Sequence, residues 1–410
     1  MNRGIIIAGA IFAAVLAAFI VIRPWDSAEE FVIPPAEPLS IVEAVPSPSP
    51  SPVPVPAPTP TPAPTPSPTP LPDPIGDFIL TLTLQEKVGQ LFVARLPYPA
   101  RAQRLITDYH IGGFTFFAEH ISTAEQVRQN IAGLQAASAI PLFISVDEEG
   151  GRVSRIRNIF TQGREATPYV IGSLGDPVRA YEIHYATGNA LVDLGFNMNF
   201  APVADIWTNP ANTVIGERAF GREPEIVAEM VEAAVRGLRS AGILSVIKHF
   251  PGHGDTVEDS HYQMAFFHHD RARFEAVESI PFRRGIAAGA DGVMVGHIAT
   301  PLITPYAPSL LATFSDYFIK TILREEWGFG NGLIITDALD MRGLTGYYSD
   351  DEIIINAFLA GADILLMPTV PEQAVTALIN AYKDGTIEAE TFHRRLDESL
   401  RRILAKKENL

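Results

Sequence analysis

Eight short apolar runs, separated by amphipathic helical stretches, constrain the fold of this chain more than any other feature. They are Gln90 to Ala94, Gly113 to Phe117, Leu142 to Val146, Asn197 to Val203, Leu244 to Ile247, Gly292 to Val295, Gly332 to Ile335 and Ile364 to Met367. Helical periodicity fills the gaps, as in Ala124 to Ala137, Pro177 to Leu194, Glu225 to Ala241 and Phe274 to Ala288. Strands that are apolar throughout, rather than alternately, are buried on both faces, as in a parallel sheet covered by helices. Eight such units over residues 75–410 predict an α/β fold, a (β/α)8 TIM barrel forming a single catalytic domain. A doubly wound open sheet is the competing arrangement. It requires a glycine-rich phosphate turn after its first strand, and none follows Ala94.

A barrel of this kind carries its chemistry where strands end. The third run leads into Asp147-Glu148-Glu149-Gly150-Gly151-Arg152 and the fourth into Ala204-Asp205. The fifth ends in Lys248-His249, the sixth in Gly296-His297 and the seventh in Thr336-Asp337. Packing alone gives no reason for consecutive strands to terminate in ionisable groups. The densest stretch is Lys248-His249-Phe250-Pro251-Gly252-His253-Gly254-Asp255-Thr256, followed by Asp259-Ser260-His261. His249 and His253 have the spacing of helical zinc ligands, but Pro251 and Gly252 disfavour a helix between them and Lys248 repels a cation. The expectation is therefore a hydrogen-bonded network, with no metal and no cofactor. Within it, Asp259 stands two residues from His261, close enough to orient and polarise the imidazole as a proton donor and acceptor. Asp337, at the mouth end of a buried strand, reads as a nucleophile, a metal ligand or a helix cap. Asp340 is the better candidate for a cap or ion pair. Asp147, Arg155, Arg218 and Lys248, converging on one rim, would offer many hydrogen bonds to a polyhydroxylated ligand.

The composition bounds the partners. The formal charge of −16 argues against nucleic acid, because phosphate binding needs a basic face. With no cysteine in 410 residues, thiolate ligands, disulfides and cysteine nucleophiles are excluded. Ile5 to Ile22 is an uninterrupted apolar run, at the lower edge of a membrane span, and no good cleavage site follows it. Residues 1–25 are expected to form an uncleaved signal anchor. Pro34 to Pro74 alternates proline with Ser, Val, Ala and Thr, so that residues 26–74 read as a disordered linker of polyproline II character, reaching on the order of 100 Å. Together these predict a membrane-anchored, extracytoplasmic catalytic domain, monomeric, or a secreted one if the signal is cleaved.

Several stretches resemble a known family. Asp147-x-Glu149-Gly150-Gly151-Arg152-Val153-x-Arg155, Ile215-Gly216-x-Arg218-x-Phe220-Gly221, the long histidine motif and Asp259-Ser260-His261 are similar to those of family-3 glycoside hydrolases, in the bacterial β-N-acetylglucosaminidase branch. The resemblance spans residues 75–380. It implies a retaining double displacement through a covalent glycosyl-enzyme intermediate, with Asp337 as nucleophile and His261, partnered by Asp259, as general acid/base. It also implies that Asp147, Arg155, Arg218, Lys248 and His249 hold a terminal N-acetylglucosamine of peptidoglycan fragments or similar saccharides. Thr336-Asp337-Ala338-Leu339 departs from the Ser-Asp-Asp-Leu of many relatives, and the strand end favours Asp337 over Asp340. The β-glucosidase branch takes its acid/base from a further domain, for which the stretch before Leu410 leaves no room. The remaining readings are a related β-glycosidase, a glycoside phosphorylase (an imidazole does not repel phosphate as a second carboxylate would) and an inactive wall-binding barrel.

Overall fold

A computed structural model of the chain describes residues 72–160, 167–304, 311–408 and 410. The strands are β1 (Phe92–Arg95), β2 (Gly113–Phe116), β3 (Phe143–Val146), β4 (Met198–Asn199), β5 (Leu244–Phe250), β6 (Ala265–Phe266), β7 (Gly292–Val295), β8 (Ile298–Ala299), β9 (Leu333–Thr336) and β10 (Leu365–Leu366). Eight of them form one parallel sheet in the order β10-β1-β2-β3-β4-β5-β7-β9. Its two edges meet through a parallel bridge between Ile335 and Ile364, where Thr336 N donates to Ile364 O at 3.0 Å. The result is a nearly closed, TIM-like barrel rather than an open sheet. β6 and β8 pair separately as a two-stranded ribbon.

The strands are short, and the side chains that fill them are bulky and apolar on both faces. Phe92, Phe114, Phe143, Ile144, Val293 and Ile334 are all fully buried. Each such side chain contributes roughly 1.5–3 kcal/mol by leaving water. The helices Ala124–Ala137 and Pro177–Leu194 cover the residues expected of them. The second is punctuated at both ends. The Asp176 carboxylate accepts from Val178 N and Arg179 N, Pro177 supplies the first turn, and Gly195 closes the helix at φ 96°.

Four departures from the expected boundaries have local causes. Pro202 has no amide proton to continue the ladder, so β4 holds only Met198–Asn199 of the expected Asn197 to Val203, and Val203 rejoins by a single bridge to Lys248. β5, by contrast, continues beyond Ile247 through Lys248, His249 and Phe250. The expected helix from Phe274 to Ala288 is two helices, Arg271–Ala276 and Ser279–Ala287. A proline ring at 281 would clash with the carbonyl four residues back, at Val277, where the chain breaks. β10 stops at Leu366 because Met367 turns to φ 48°.

The C-terminal helix Ala389–Lys407 locks the seam where the barrel closes. Asp363, just before β10, accepts from Ser399 Oγ and Arg402 Nη1 at 3.0 Å each, from Ile334 N at 2.9 Å and from Arg324. This fixes β9 and β10 side by side, and with them the residues at the end of β9. The first described helix starts at Pro74, one residue ahead of the expected boundary, and Asp73 caps it while pairing with Arg401. Among the described residues no helix is long and apolar enough to cross a membrane. The expected anchor at Ile5 to Ile22 and nearly all of the proline tract lie outside the described residues.

Candidate active site

The mouth of the barrel is built from charged groups placed by three adjacent strands. Glu149, just past β3, is buried and receives a two-pronged hydrogen bond from Arg218, with Nε at 2.8 Å and Nη2 at 2.9 Å. Lys248, on β5, lies between Glu149 and Asp147, its Nζ 2.6 Å from a carboxylate oxygen of each. Burial alone would strip the Lys248 proton, but the two carboxylates more than offset this and raise its pKa above the usual lysine value. Glu149 likewise overcomes burial through Arg218 and Lys248, which hold it below the usual carboxylate range. The cluster is thus a preassembled set of fixed charges. The remaining lone pairs of Asp147 face the cavity, with Arg155 Nη2 at 3.6 Å from its second oxygen.

Lys248 and His249 are consecutive on one strand, yet both serve the mouth. The pairing of β5 with β7 slips between Ile247 and Phe250, an irregularity that re-aims side chains where a regular strand would alternate them. His249 Nδ1 is 2.7 Å from Asp205 Oδ2, and Arg218 Nη2 is 3.2 Å from His249 Nε2. A guanidinium only donates, so Nε2 accepts and the ring proton sits on Nδ1, donated to Asp205. Asp205, wholly buried, also accepts from the backbone N of His249 at 3.2 Å and of His253 at 2.7 Å. One carboxylate therefore ties the end of β4 to the start of the histidine loop.

His253 pins that loop. Its Nε2 meets Ser260 Oγ at 2.9 Å and its Nδ1 meets Thr256 Oγ1 at 2.7 Å, so both nitrogens are used internally. Burial, with the His249 ring nearby, pushes its pKa down to about 4. Asp255 does similar work, accepting from Thr208 Oγ1 at 2.8 Å and pairing with His269 at 2.6 Å. The loop returns to place Asp259 and His261 together, Nδ1 to Oδ1 at 2.7 Å, with the His261 backbone N on the same oxygen at 2.9 Å. The His261 carbonyl accepts from Arg342 N at 3.3 Å, which docks the dyad beside the segment that follows β9. His261 Nε2 is left as the working nitrogen.

Asp337 projects from the end of β9 into the same cavity. Burial would raise its pKa, but the positive charge that the His249 and His297 rings carry in acid, where Asp337 titrates, and a 2.8 Å hydrogen bond from Ala338 N lower it to about 2. His297 is itself fixed, with Nε2 2.9 Å from Ala338 O and Nδ1 2.8 Å from Thr313 Oγ1. Asp340 stands exposed at the rim. The cavity, about 290 Å³, is lined by Asp147, Arg155, Arg218, Lys248, His249, His261 and Asp337. Seven of the eight residues singled out from sequence thus share one chamber, and the eighth, Asp259, touches it through His261. Sequence reasoning did not assign Glu149, Asp205 or His297 a role, although each lay at or next to a strand end. It missed Arg95 and Phe117 altogether; Phe117 lies between the guanidinium groups of Arg95 and Arg155, at 4.5 and 5.2 Å.

Residues 83–405 match the glycosyl hydrolase family 3 N terminal domain, and the chain belongs to that family. It is 37% identical over 302 residues to β-hexosaminidase A of Pseudoalteromonas piscicida, an alignment covering 68% of this chain and 49% of that protein. With β-hexosaminidase LpqI of Mycobacterium tuberculosis the identity is 31% over 333 residues, covering 80% and 83%. Among solved structures, a family 3 β-N-acetylglucosaminidase from Paenibacillus sp. str. FPU-7 superposes with a TM-score of 0.75 at 40% identity, covering 80% of this chain and 62% of that one. The chain thus spans about half the length of the Pseudoalteromonas relative.

Proposed function

We propose that the protein is a retaining exo-β-N-acetylglucosaminidase that removes terminal N-acetylglucosamine from peptidoglycan fragments. The observation that carries the reading is the meeting of an ionised Asp337 and the His261–Asp259 dyad in one cavity, opposite a wall of charged hydrogen-bonding groups. Names of relatives, β-hexosaminidase and β-N-acetylglucosaminidase, support the sugar. A chamber of about 290 Å³ suits one sugar ring, and hence removal of terminal units. Arg155 Nε is buried without a hydrogen-bond partner among the described residues, a donor that a sugar hydroxyl would satisfy.

The proposed chemistry uses these groups in turn. Asp147, Lys248 and Arg155 grip the hydroxyls of the terminal ring and turn its anomeric carbon towards Asp337. His261 Nε2–H protonates the glycosidic oxygen as Asp337 attacks, the C–O bond breaks and the aglycone leaves as an alcohol. His261 then takes a proton from water, which displaces Asp337 and releases the sugar with its original configuration. Asp259 holds the imidazole in register and stabilises its charged form. No nucleic acid enters this scheme. The apolar run Ile5 to Ile22 and the proline tract support an anchored domain working outside the cytoplasm.

The test is hydrolysis of an aryl β-N-acetylglucosaminide against an aryl β-glucoside, then of muropeptides. Strong preference for the acetamido sugar, with free N-acetylglucosamine from the muropeptide, is expected. Activity on glucoside alone would overturn the sugar assignment. Sugar 1-phosphate in phosphate buffer would instead make water the wrong acceptor.

A further inference from the structure

A second cavity, about 590 Å³ and twice the size of the catalytic one, lies between the helices Pro99–Thr107 and Ala124–Ala137. We propose that it is a saccharide-binding groove that holds the leaving-group side of the substrate, so that the preferred substrates are chains rather than single glycosides. This inference rests on the glycosidase reading of the adjoining site.

The two cavities share a wall. Arg95, the last residue of β1, lines the catalytic chamber and forms an ion pair with Glu119, which lines the groove. The sugar-gripping groups come from β3, β4 and β5, whereas Asp337 comes from β9. The scissile end of a bound sugar therefore points to the arc of β9, β10 and β1, and the groove starts one residue beyond β1, at Leu96.

Its lining is chemically suited to a neutral polyol. The side-chain amides of Gln103 and Asn130 make no hydrogen bond among the described residues. His120 Nδ1 accepts from Phe117 N at 2.9 Å, which leaves its ring proton on Nε2 at the groove. Tyr98 offers a ring that is 67% exposed, an apolar face for the C–H surface of a pyranose. No lysine or arginine lines the groove, so nothing there selects an anion.

Gly133 is the independent pointer. It sits inside a helix, where glycine is disfavoured, and no atom lies within 4 Å of where its Cβ would stand. Packing within the protein thus gives no reason for glycine there. It is an exposed lining residue of the groove, where a bulky side chain would extend into the space a ligand would fill.

Gly133→Trp would plug the groove without removing any contact, and Gly133→Ala is its control. With the full-length chain, kcat/KM on an uncharged β-1,4 N-acetylglucosamine tetrasaccharide should exceed that on the disaccharide. It should fall at least tenfold in Gly133→Trp, about fivefold in Tyr98→Ala, and little in Gly133→Ala. All three should hydrolyse the aryl glycoside as the wild type does. Equal tetrasaccharide kinetics in wild type and Gly133→Trp would overturn the groove. Silence of the wild type on the aryl glycoside would sink the glycosidase reading instead. Calorimetric titration of the tetrasaccharide then still decides the groove, since unchanged binding by Gly133→Trp counts against it.

Discussion

Asp205 and His249 are joined at 2.7 Å, with Arg218 on the opposite ring nitrogen, so that one buried carboxylate sets the tautomer of a residue in the catalytic chamber. The same carboxylate caps the backbone of His249 and His253. Asp205→Asn keeps the shape but can offer only one oxygen as acceptor, and its NH2 faces donors. The expected cost is about 2–3 kcal/mol of stability, read by urea unfolding, because a buried acceptor is lost and donors are left unpaired. Activity at 25 °C should fall at least tenfold with KM rising more than kcat falls, since the ring that Asp205 orients acts through binding.

Asp337→Ala should reduce turnover by on the order of 10⁴, since the chamber's other carboxylates are differently placed, Asp147 and Glu149 being paired with Lys248 and Arg218 and Asp340 lying at the rim. The fold should survive. Asp337 has a pKa lowered to about 2 in the folded state, against an ordinary 3.8, so its ionised form adds stability above pH 3.8 that is lost as pH falls through 2. Removing it should therefore cost stability above pH 3.8 and progressively less as pH falls through 2, a difference read by urea unfolding across that range. Near-wild-type turnover with a native circular dichroism spectrum would refute the nucleophile assignment.

How much of this was legible beforehand differs between strand ends and their supports. The place of Asp147, Lys248 and Asp337 at the mouth could be read because a charge at the end of an apolar run falls at the C-terminal face of a parallel barrel. The pairing of Asp259 with His261 could be read because two residues' separation suffices for the contact. Asp205 and His297 stood in equivalent positions, but nothing in the sequence says which neighbour a strand-end side chain will reach. Contacts such as Arg218 with Glu149 span 69 residues and depend on the barrel's closure, not on local pattern. The break at Val277 was readable from Pro281 and the truncation of β4 from Pro202; hydrophobic periodicity carried both readings too far.

The dyad predicts a dependence on leaving group. His261 is more than half exposed and Asp259 a third exposed, so replacing either should leave stability within about 0.5 kcal/mol of wild type. His261→Ala should lose 10²–10⁴ in kcat/KM on a saccharide substrate, about what general acid catalysis contributes. On a dinitrophenyl glycoside, whose leaving group needs no proton, the loss should be under tenfold for this step. With the acid/base gone and Asp337 ionised down to about pH 2, that residual kcat/KM should be flat from pH 4 to 8. An equal loss on both substrates would contradict the assignment.

Lys407 makes a prediction at the far end of the barrel. It is 98% buried among Gln90, Gly112 and the Phe143 ring, with Nζ donating to Gln90 Oε1 at 2.7 Å and Gly112 O at 2.8 Å. Burial pulls its pKa from 10.5 down to about 7. The unfolded chain therefore holds a proton that the folded chain lacks between pH 7 and 10.5, and over this window stability rises with pH. The slope from this one group approaches about 1.4 kcal/mol per pH unit near pH 9. Lys407→Met removes the slope while leaving two acceptors unpaired, a penalty that does not depend on pH. Subtracting the variant's unfolding free energy from the wild type's at pH 7, 8, 9 and 10 thus isolates the lysine. A difference that grows with pH is expected, and a constant one would show that the two hydrogen bonds and the Phe143 ring keep the ammonium charged. Activity on the aryl glycoside should be the same in both proteins, because Lys407 lies at the opposite end of the strands from Asp337.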